Sequence, residues 1–130
     1  MRALLDTHVF LWLQTARGRL APAVLEVLAD PGSELFVSAA SAWEIAVKHA
    51  LGRLPLPEPA LRYVPSRMVA IDARELPVSH ADALRVGLLP PLHRDPFDRL
   101  LVSQSRRHGL TLVTADPAIM QYDVEVLAAR

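Results

Sequence analysis

Short apolar segments, each followed closely by a polar residue, are the feature that most constrains the fold of this chain. Met1–Leu5 ends at Asp6, Leu35–Val37 ends at Ser38, and Leu110–Thr114 closes a third segment. Strands that are apolar at nearly every position are typical of a parallel sheet that is covered on both faces. We therefore expect an α/β fold, a three-layer α/β/α domain with a central, mostly parallel sheet.

Helical segments alternate with the apolar segments. Pro22 suits a first helical position, Gly52 a position just past a helix, and Ser79 an N-cap. Helices are predicted over Thr7–Gln14, Pro22–Ala29, Ala39–Leu51, Glu58–Val64, Ser79–Val86 and Asp95–His108, with a short turn or helix from Asp116-Pro117. The five predicted strands are Met1–Leu5, Leu35–Val37, Met68–Ile71, Leu110–Thr114 and Val124–Leu127.

Length and composition limit the class of protein. The 130 residues, 52% hydrophobic and 22% charged, suit one globular domain over residues 1–130. The absence of cysteine excludes disulfides, thiolate metal sites and a cysteine nucleophile. No apolar run is long enough to span a bilayer, and Asp6 and His8 interrupt the N-terminal one, so we expect a cytoplasmic protein without a membrane partner.

The charge balance gives no global signal for nucleic acid. Fourteen basic residues cancel fourteen acidic ones, so any affinity for nucleic acid has to come from a local patch. All the basic residues except Lys48 are arginines, whose guanidinium groups suit phosphate oxygens.

Four acidic residues fall where such a fold places its ligands. Asp6 ends the first strand, Glu44 lies in the helix after the second, Asp98 begins a later helix, and Asp116 follows the fourth strand. Ligands of open parallel sheets bind at the carboxyl ends of the strands. If the first and fourth strands are neighbours, Asp6 and Asp116 share that edge, and a right-handed crossover brings Glu44 over it.

Taken singly, most of these acids also fit structural roles. Glu44 and Lys48 have the i,i+4 spacing of a helix ion pair. Asp95 is a natural N-cap before proline, and Asp98 then lies in the first helical turn, where a carboxylate suits the helix dipole. Asp116 before proline is a common turn initiator.

The acidic residues are harder to explain as a set. Carboxylates that converge within ~4 Å repel by roughly 1 kcal/mol per pair in water and by more when buried. A cation relieves this repulsion, and oxygen ligands without thiolates favour Mg²⁺ or Mn²⁺. Such an ion activates water and neutralises charge on a phosphate, so hydrolysis of a phosphodiester is the expected chemistry.

At these residues the sequence resembles the PIN-domain ribonucleases, and among them the VapC-type toxins of bacterial toxin–antitoxin pairs. The resemblance covers essentially the whole chain and rests on four stretches in order: Leu4–His8, Ser38–Lys48, His93–Leu101 and Leu110–Asp116. It implies a PIN fold and a hydrolase, a Mg²⁺- or Mn²⁺-dependent endoribonuclease that leaves 5′-phosphate ends. It also implies a homodimer and a cognate VapB-type antitoxin bound in or near the acidic cleft.

The resemblance also implies roles for individual residues. The family's metal-binding and catalytic acids fall on Asp6, Glu44, Asp98 and Asp116, with Asp95 either an additional ligand or only a helix cap. The residues expected to orient the carboxylates or to contact substrate are Thr7, Thr114, Arg94, Arg99 and Lys48.

Other interpretations remain open at this stage. The same acids could cut structured DNA, or the chain could be a non-catalytic PIN-like module that binds RNA or a protein. A phospho-accepting receiver domain shares the fold class, and Asp72 comes close to its required aspartate. The five histidines form no pair at metal-ligand spacing, and each is predicted to be structural or at the surface: His8, His49, His80, His93 and His108.

Overall fold

A five-stranded sheet forms the centre of the computed structural model, which describes residues 1–130. The strands are β1 (Arg2–Leu5), β2 (Glu34–Ser38), β3 (Ala73–Leu76), β4 (Thr111–Thr114) and β5 (Val126–Ala128). Their order is β3-β2-β1-β4-β5, and every neighbouring pair is parallel. The prediction of a five-stranded, mostly parallel sheet is therefore confirmed.

Seven α-helices connect the strands. They are α1 (Thr7–Thr15), α2 (Pro22–Ala29), α3 (Ala39–Ala50), α4 (Ala60–Ala70), α5 (His80–Arg85), α6 (Pro96–His108) and α7 (Pro117–Met120). Short 3₁₀ turns cover Arg17–Arg19 and Val86–Leu88. No helix is long and apolar enough to cross a membrane.

Both faces of the sheet are covered by apolar side chains. On β1, Ala3 and Leu5 belong to one cluster of buried residues and Leu4 to a second cluster. The first cluster includes Phe10 of α1, and the second includes Leu101 of α6. Burying each such side chain fully stabilises the fold by roughly 1.5–3 kcal/mol. The two clusters account for the predicted three-layer arrangement.

The structure corrects the prediction for the segment between α3 and β3. A helix over Glu58–Val64 and a strand over Met68–Ile71 were expected, but α4 runs without a break through Pro65 to Ala70. A proline inside a helix removes one hydrogen bond and favours a helix end before it. Here Met68, beyond the proline, packs into the first core cluster, and this burial favours the continued helix.

The third strand is β3, which lies at the edge of the sheet. It lacks the continuous apolar run of the central strands: Arg74 and Glu75 are exposed, and Leu76 alone is buried. An edge strand has one side without a pairing strand and needs no continuous apolar run, so the apolar pattern does not predict β3.

Asp72 lies at the wrong end of the sheet for a receiver domain. It precedes β3, in a turn where its φ is 53°, and so stands at the amino edge of the strands. The phospho-accepting position would lie at the carboxyl edge, and this interpretation of Asp72 is wrong.

The strand order brings the acidic residues to one edge. β1 lies between β2 and β4, so the carboxyl ends of these three strands are adjacent. The amide of Asp6 continues the pairing beyond β1 by donating to the carbonyl of Val113, 3.0 Å away. α6 precedes β4 and runs antiparallel to it, so the helix begins at this same carboxyl edge. The candidate site lies there.

Candidate metal centre

Asp6 is held from two sides at the end of β1. It is the N-cap of α1, and its Oδ1 accepts from the amide of Val9 at 2.7 Å. Its Oδ2 accepts from the hydroxyl of Thr114 at 2.5 Å. Burial raises the pKa of Asp6, although the Thr114 hydroxyl and the Val9 amide act in the opposite direction. The side chain is thus a buried carboxylate in a fixed orientation.

Glu44 projects from α3 and is 1% exposed. Its Oε2 accepts from Nζ of Lys48 at 2.5 Å, which is the predicted i,i+4 ion pair. The hydrogen bond to Glu44 raises the pKa of Lys48. Oε1 of Glu44 is buried and has no hydrogen-bond partner. A buried polar atom without a hydrogen-bond partner is costly in a protein interior, so an additional ligand at this atom would stabilise the protein.

The start of α6 supplies two more carboxylates. Asp95 is the N-cap, and its Oδ1 accepts from the amides of Phe97 at 2.8 Å and Asp98 at 3.4 Å. Asp98 follows in the first turn, with its side chain 13% exposed. Burial, together with the nearby charges of Asp95 and Glu44, raises the pKa of Asp98 to about 7. Asp98 thus shows the largest effect of burial and of the neighbouring acids in this cluster.

Asp116 lies beyond β4 as the N-cap of α7. Its Oδ1 accepts from the amide of Ala118 at 2.8 Å, and its own amide donates to Oγ1 of Thr114 at 3.0 Å. Its Oδ2 is 2.7 Å from Nε2 of His93. Partial burial opposes ionisation of Asp116, but the hydrogen bonds from His93 and Ala118 prevail and lower its pKa.

His93 belongs to this site, contrary to the prediction that it is structural or at the surface. Its Nε2 is also 3.1 Å from Oδ2 of Asp98, so one ring nitrogen contacts two of the acids. One ligand atom each from His93, Asp98 and Asp116 lie within 4.8 Å of one another. The available signal was its place just before the Asp95 helix cap, within the stretch that carries the family resemblance.

The two threonines play different parts. Thr114 contacts Asp6 directly, as expected of an orienting hydroxyl. Thr7 instead donates to the hydroxyl of Ser41 at 2.9 Å and is buried. Thr7 therefore joins α1 to α3 through this hydrogen bond, and its expected orienting role stays a prediction.

The two arginines near α6 also differ. Arg94 is exposed at the start of the helix. Arg99 turns back onto the loop over residues 86–95, where its guanidinium donates to backbone carbonyls and one hydroxyl at 3.1–3.4 Å: Val86, Leu89, Pro90, His93 and the phenol of Tyr122. These contacts anchor the loop through Arg99, and its expected contact with a phosphate stays a prediction.

The family model described as the PIN domain matches residues 3–125. The chain belongs to the PIN-domain family.

A curated relative and several solved structures resemble this PIN domain. It is 47% identical over 55 residues to Ribonuclease VapC16 of Mycobacterium tuberculosis, an alignment that spans 42% of this chain and 39% of that protein. The PIN domain thus matches well under half the length of its curated relative.

The structural similarities cover nearly the whole PIN domain. VapBC2 from Rickettsia felis, in a crystal structure bound to a promoter DNA fragment, has a TM-score of 0.76 at 15% identity, with 100% of both chains covered. A toxin–antitoxin complex from Klebsiella pneumoniae has a TM-score of 0.68 at 18% identity, with 98% of each chain covered. VapBC-1 from nontypeable Haemophilus influenzae has a TM-score of 0.67 at 17% identity, again over 98% of each. At these identities the likeness concerns the fold.

The residues of this PIN domain fit a hard divalent cation. The carboxylates interact electrostatically, since Glu44 and Asp6 both raise the pKa of Asp98, and Asp116 raises that of Asp6. The buried Oε1 of Glu44 has no partner within the protein. Oxygen donors in this number are typical ligands of Mg²⁺ and Mn²⁺, and a cation would relieve their mutual repulsion.

Proposed function

We propose that this chain is a VapC-type toxin, a Mg²⁺- or Mn²⁺-dependent endoribonuclease that hydrolyses RNA phosphodiester bonds. The observation that carries the proposal is the buried cluster of carboxylates in which the pKa of Asp98 is raised to about 7. Such a cluster destabilises a protein that has no cation to place there. The partial likeness to Ribonuclease VapC16 supports RNA as the substrate.

Four acids would hold the ion: Asp6, Glu44, Asp98 and Asp116. When bound, a divalent ion supplies an activated water and positive charge beside the scissile phosphate. Thr114 keeps Asp6 oriented, and Lys48 holds one oxygen of Glu44 so that the other faces away from the ion pair. Asp95 has its Oδ1 engaged by two amides, so we assign it the role of helix cap.

RNA would approach over the exposed start of α6. Arg94 lies there, four residues before Asp98, and its guanidinium is available for a phosphate oxygen. Lys48 lies on the opposite helix of the site, and its side chain is 38% exposed. Because water attacks the phosphorus and the ribose 2′-hydroxyl does not, the products carry 5′-phosphate and 3′-hydroxyl ends.

Protein partners are part of this proposal. Three exposed leucines support contacts with other chains: Leu61, which is 88% exposed on α4, and Leu84 and Leu88, which flank the end of α5. Contiguous exposed apolar patches mark candidate protein interfaces, and these leucines are where such a patch would be sought. We propose a VapB-type antitoxin and a second copy of this chain as the partners, and the cytoplasm as the compartment. Residues 1–130 would act as one PIN domain.

The test is cleavage of a mixed RNA pool by purified, antitoxin-free protein. We expect cleavage with Mg²⁺ or Mn²⁺ that gives 5′-phosphate ends and is lost in EDTA and in Asp6→Asn. Asp123→Asn is the matched control, since Asp123 is exposed and lies before β5, at the opposite edge of the sheet. This variant should cleave like the wild type.

The remaining outcomes separate the alternatives. RNA binding without cleavage, with equal affinity in the wild type and Asp6→Asn, would indicate a non-catalytic binding module. Preferential cleavage of structured DNA in a parallel reaction would assign the same acids to a DNA nuclease. Either result would overturn the ribonuclease proposal.

A further inference from the structure

The imidazole of His93 is held in one orientation by contacts on every side. Its backbone amide donates to the phenol of Tyr122 at 3.0 Å, and its carbonyl accepts from Arg99 at 3.4 Å. On the ring, Nδ1 accepts from the backbone amide of Asp95 at 3.0 Å. The ring therefore cannot turn without breaking a contact to a helix N-cap.

The contact at Nδ1 determines where the ring carries its proton. A backbone amide is always a donor, so Nδ1 has to offer its lone pair to Asp95. The proton of a neutral imidazole is then on Nε2. Nε2 donates to Oδ2 of Asp116 at 2.7 Å, and Oδ2 of Asp98 lies 3.1 Å from the same nitrogen. Each ring nitrogen thus has a partner of the matching kind.

This match excludes the two other roles that a histidine in an acidic site commonly has. To ligate a cation, Nε2 would need a free lone pair, and the ring proton would move to Nδ1, where it would face the amide hydrogen of Asp95. To act as a general base at Nε2, the ring would need the same free lone pair.

We propose that His93 is a positioning residue, a fixed Nε2–H donor that orients the Asp116 carboxylate by a hydrogen bond and keeps it beside Asp98 for the cation. The proposal rests on the metal site of the proposed function and adds to it a fifth side chain with a defined role. Hydrogen bonds from outer side chains orient metal-binding groups, and their loss typically weakens metal affinity 10- to 100-fold.

Three substitutions separate the two ring nitrogens. His93→Gln places an amide N–H near the position of Nε2 and keeps a donor toward the acids. His93→Asn places an amide oxygen near the position of Nδ1 and keeps only the acceptor for Asp95. His93→Ala removes both. Mn²⁺ and Mg²⁺ affinities of the folded proteins are then measured by calorimetric titration, and thermal unfolding in EDTA checks that each variant is folded.

We expect His93→Gln to bind both ions within about threefold of the wild type, and His93→Asn to lose roughly tenfold or more. If His93→Ala does not fold, the Gln and Asn variants still give the comparison. Equal losses in the Gln and Asn variants, larger for Mn²⁺ than for Mg²⁺, would make His93 a direct ligand and overturn the proposal. Unchanged affinity in all three variants would overturn it as well.

The ring itself gives a readout that requires no cation. Long-range ¹H–¹⁵N spectra of metal-free protein with labelled histidine, recorded slightly above neutral pH, should show the Nε2–H tautomer for His93. An Nδ1–H tautomer overturns the proposal. If the wild type binds metal but cleaves no RNA, the ribonuclease proposal fails while the result on His93 stands. If it binds no metal, the metal site fails and the ring spectrum still decides whether His93 is a donor.

Discussion

Thr114 donates its hydroxyl hydrogen to Oδ2 of Asp6 at 2.5 Å, although the two residues are 108 positions apart in the chain. The contact is possible because β1 and β4 are neighbouring parallel strands whose carboxyl ends meet. Thr114 also accepts from the amide of Asp116 at 3.0 Å. One buried hydroxyl thus connects two of the four acids.

Replacing Thr114 with valine should weaken cation binding with little change in side-chain volume. Thr114→Val leaves Oδ2 of Asp6 without its donor and the amide of Asp116 without its acceptor. We expect a loss in Mn²⁺ affinity of about 10- to 100-fold, measured by calorimetric titration. Thr114→Ser keeps the hydroxyl and should bind much more nearly like the wild type. Equal binding by the valine variant would show that this hydroxyl does not orient Asp6.

Cation binding should stabilise the folded protein, and the size of the effect should depend on Glu44 as a ligand. Mn²⁺ at 100 times its dissociation constant should raise the free energy of unfolding by about 2.7 kcal/mol. If Glu44→Gln lowers the affinity tenfold, the same concentration should add only about 1.4 kcal/mol. Denaturant unfolding with and without Mn²⁺ gives both values. A wild-type stability that does not change across the titration would argue against a site at these residues.

Asp98 should make the metal-free protein less stable as the pH rises. Its pKa is about 7 in the folded protein against an ordinary value of 3.8 for an aspartate side chain. Between these two pH values the folded state therefore binds more protons than the unfolded state. The free energy of unfolding therefore falls as pH rises through this range and levels off above about 7.

Asp98→Asn removes the contribution of Asp98 to the pH dependence of stability, so comparison with the wild type separates this contribution from that of the histidines. In EDTA the variant should gain stability over the wild type between about pH 5 and about pH 8, by up to a few kcal/mol, because each pKa unit corresponds to about 1.4 kcal/mol. Parallel pH profiles for the two proteins would show that the Asp98 carboxyl is not perturbed.

Arg94 is expected to contribute to RNA affinity and not to stability. Arg94→Gln should leave the midpoint of thermal unfolding unchanged and weaken RNA binding. The slope of log K for RNA against log salt concentration should become shallower by about 0.7, the value for one lost phosphate contact. Arg106→Gln, an exposed arginine near the other end of α6, is the matched control. Binding by the active-site variant Asp6→Asn avoids cleavage during the measurement. Identical salt slopes in the Arg94 and Arg106 variants would contradict the assignment.

Arg99 should show the opposite behaviour. Its guanidinium donates to carbonyls of the loop over residues 86–95, and Arg99→Gln leaves several of them without a donor. We expect a loss of about 1–3 kcal/mol in the free energy of unfolding, measured by denaturant titration. Arg99→Lys keeps the charge but not the forked donors and should recover little of it. A glutamine variant with unchanged stability and reduced RNA affinity would show that Arg99 contacts the substrate and does not anchor the loop.

Local patterns in the sequence were sufficient for most of the fold. The apolar run before Asp6 predicted β1, and Asp95 before proline predicted the start of α6, because burial on both faces and helix capping leave marks on neighbouring residues. The segment around Pro65 was mispredicted, since a core contact of Met68 outweighs the local effect of the proline. The edge strand β3 carries exposed charges and differs from the predicted strand for another reason. Its stability comes from pairing with β2, which the apolar pattern does not show.

The elements other than α4 and β3, the four acids and their likeness to PIN domains could be predicted from the sequence, because these depend on residue type and short spacing. Only the tertiary structure decided which side chains serve the acids. The order β2-β1-β4 set Thr114 against Asp6, and the loop before α6 turned Arg99 inward and aimed His93 at Asp98 and Asp116. Such contacts join residues that are distant in the chain, and hydrogen-bond geometry across a sheet edge leaves no periodic trace in the sequence.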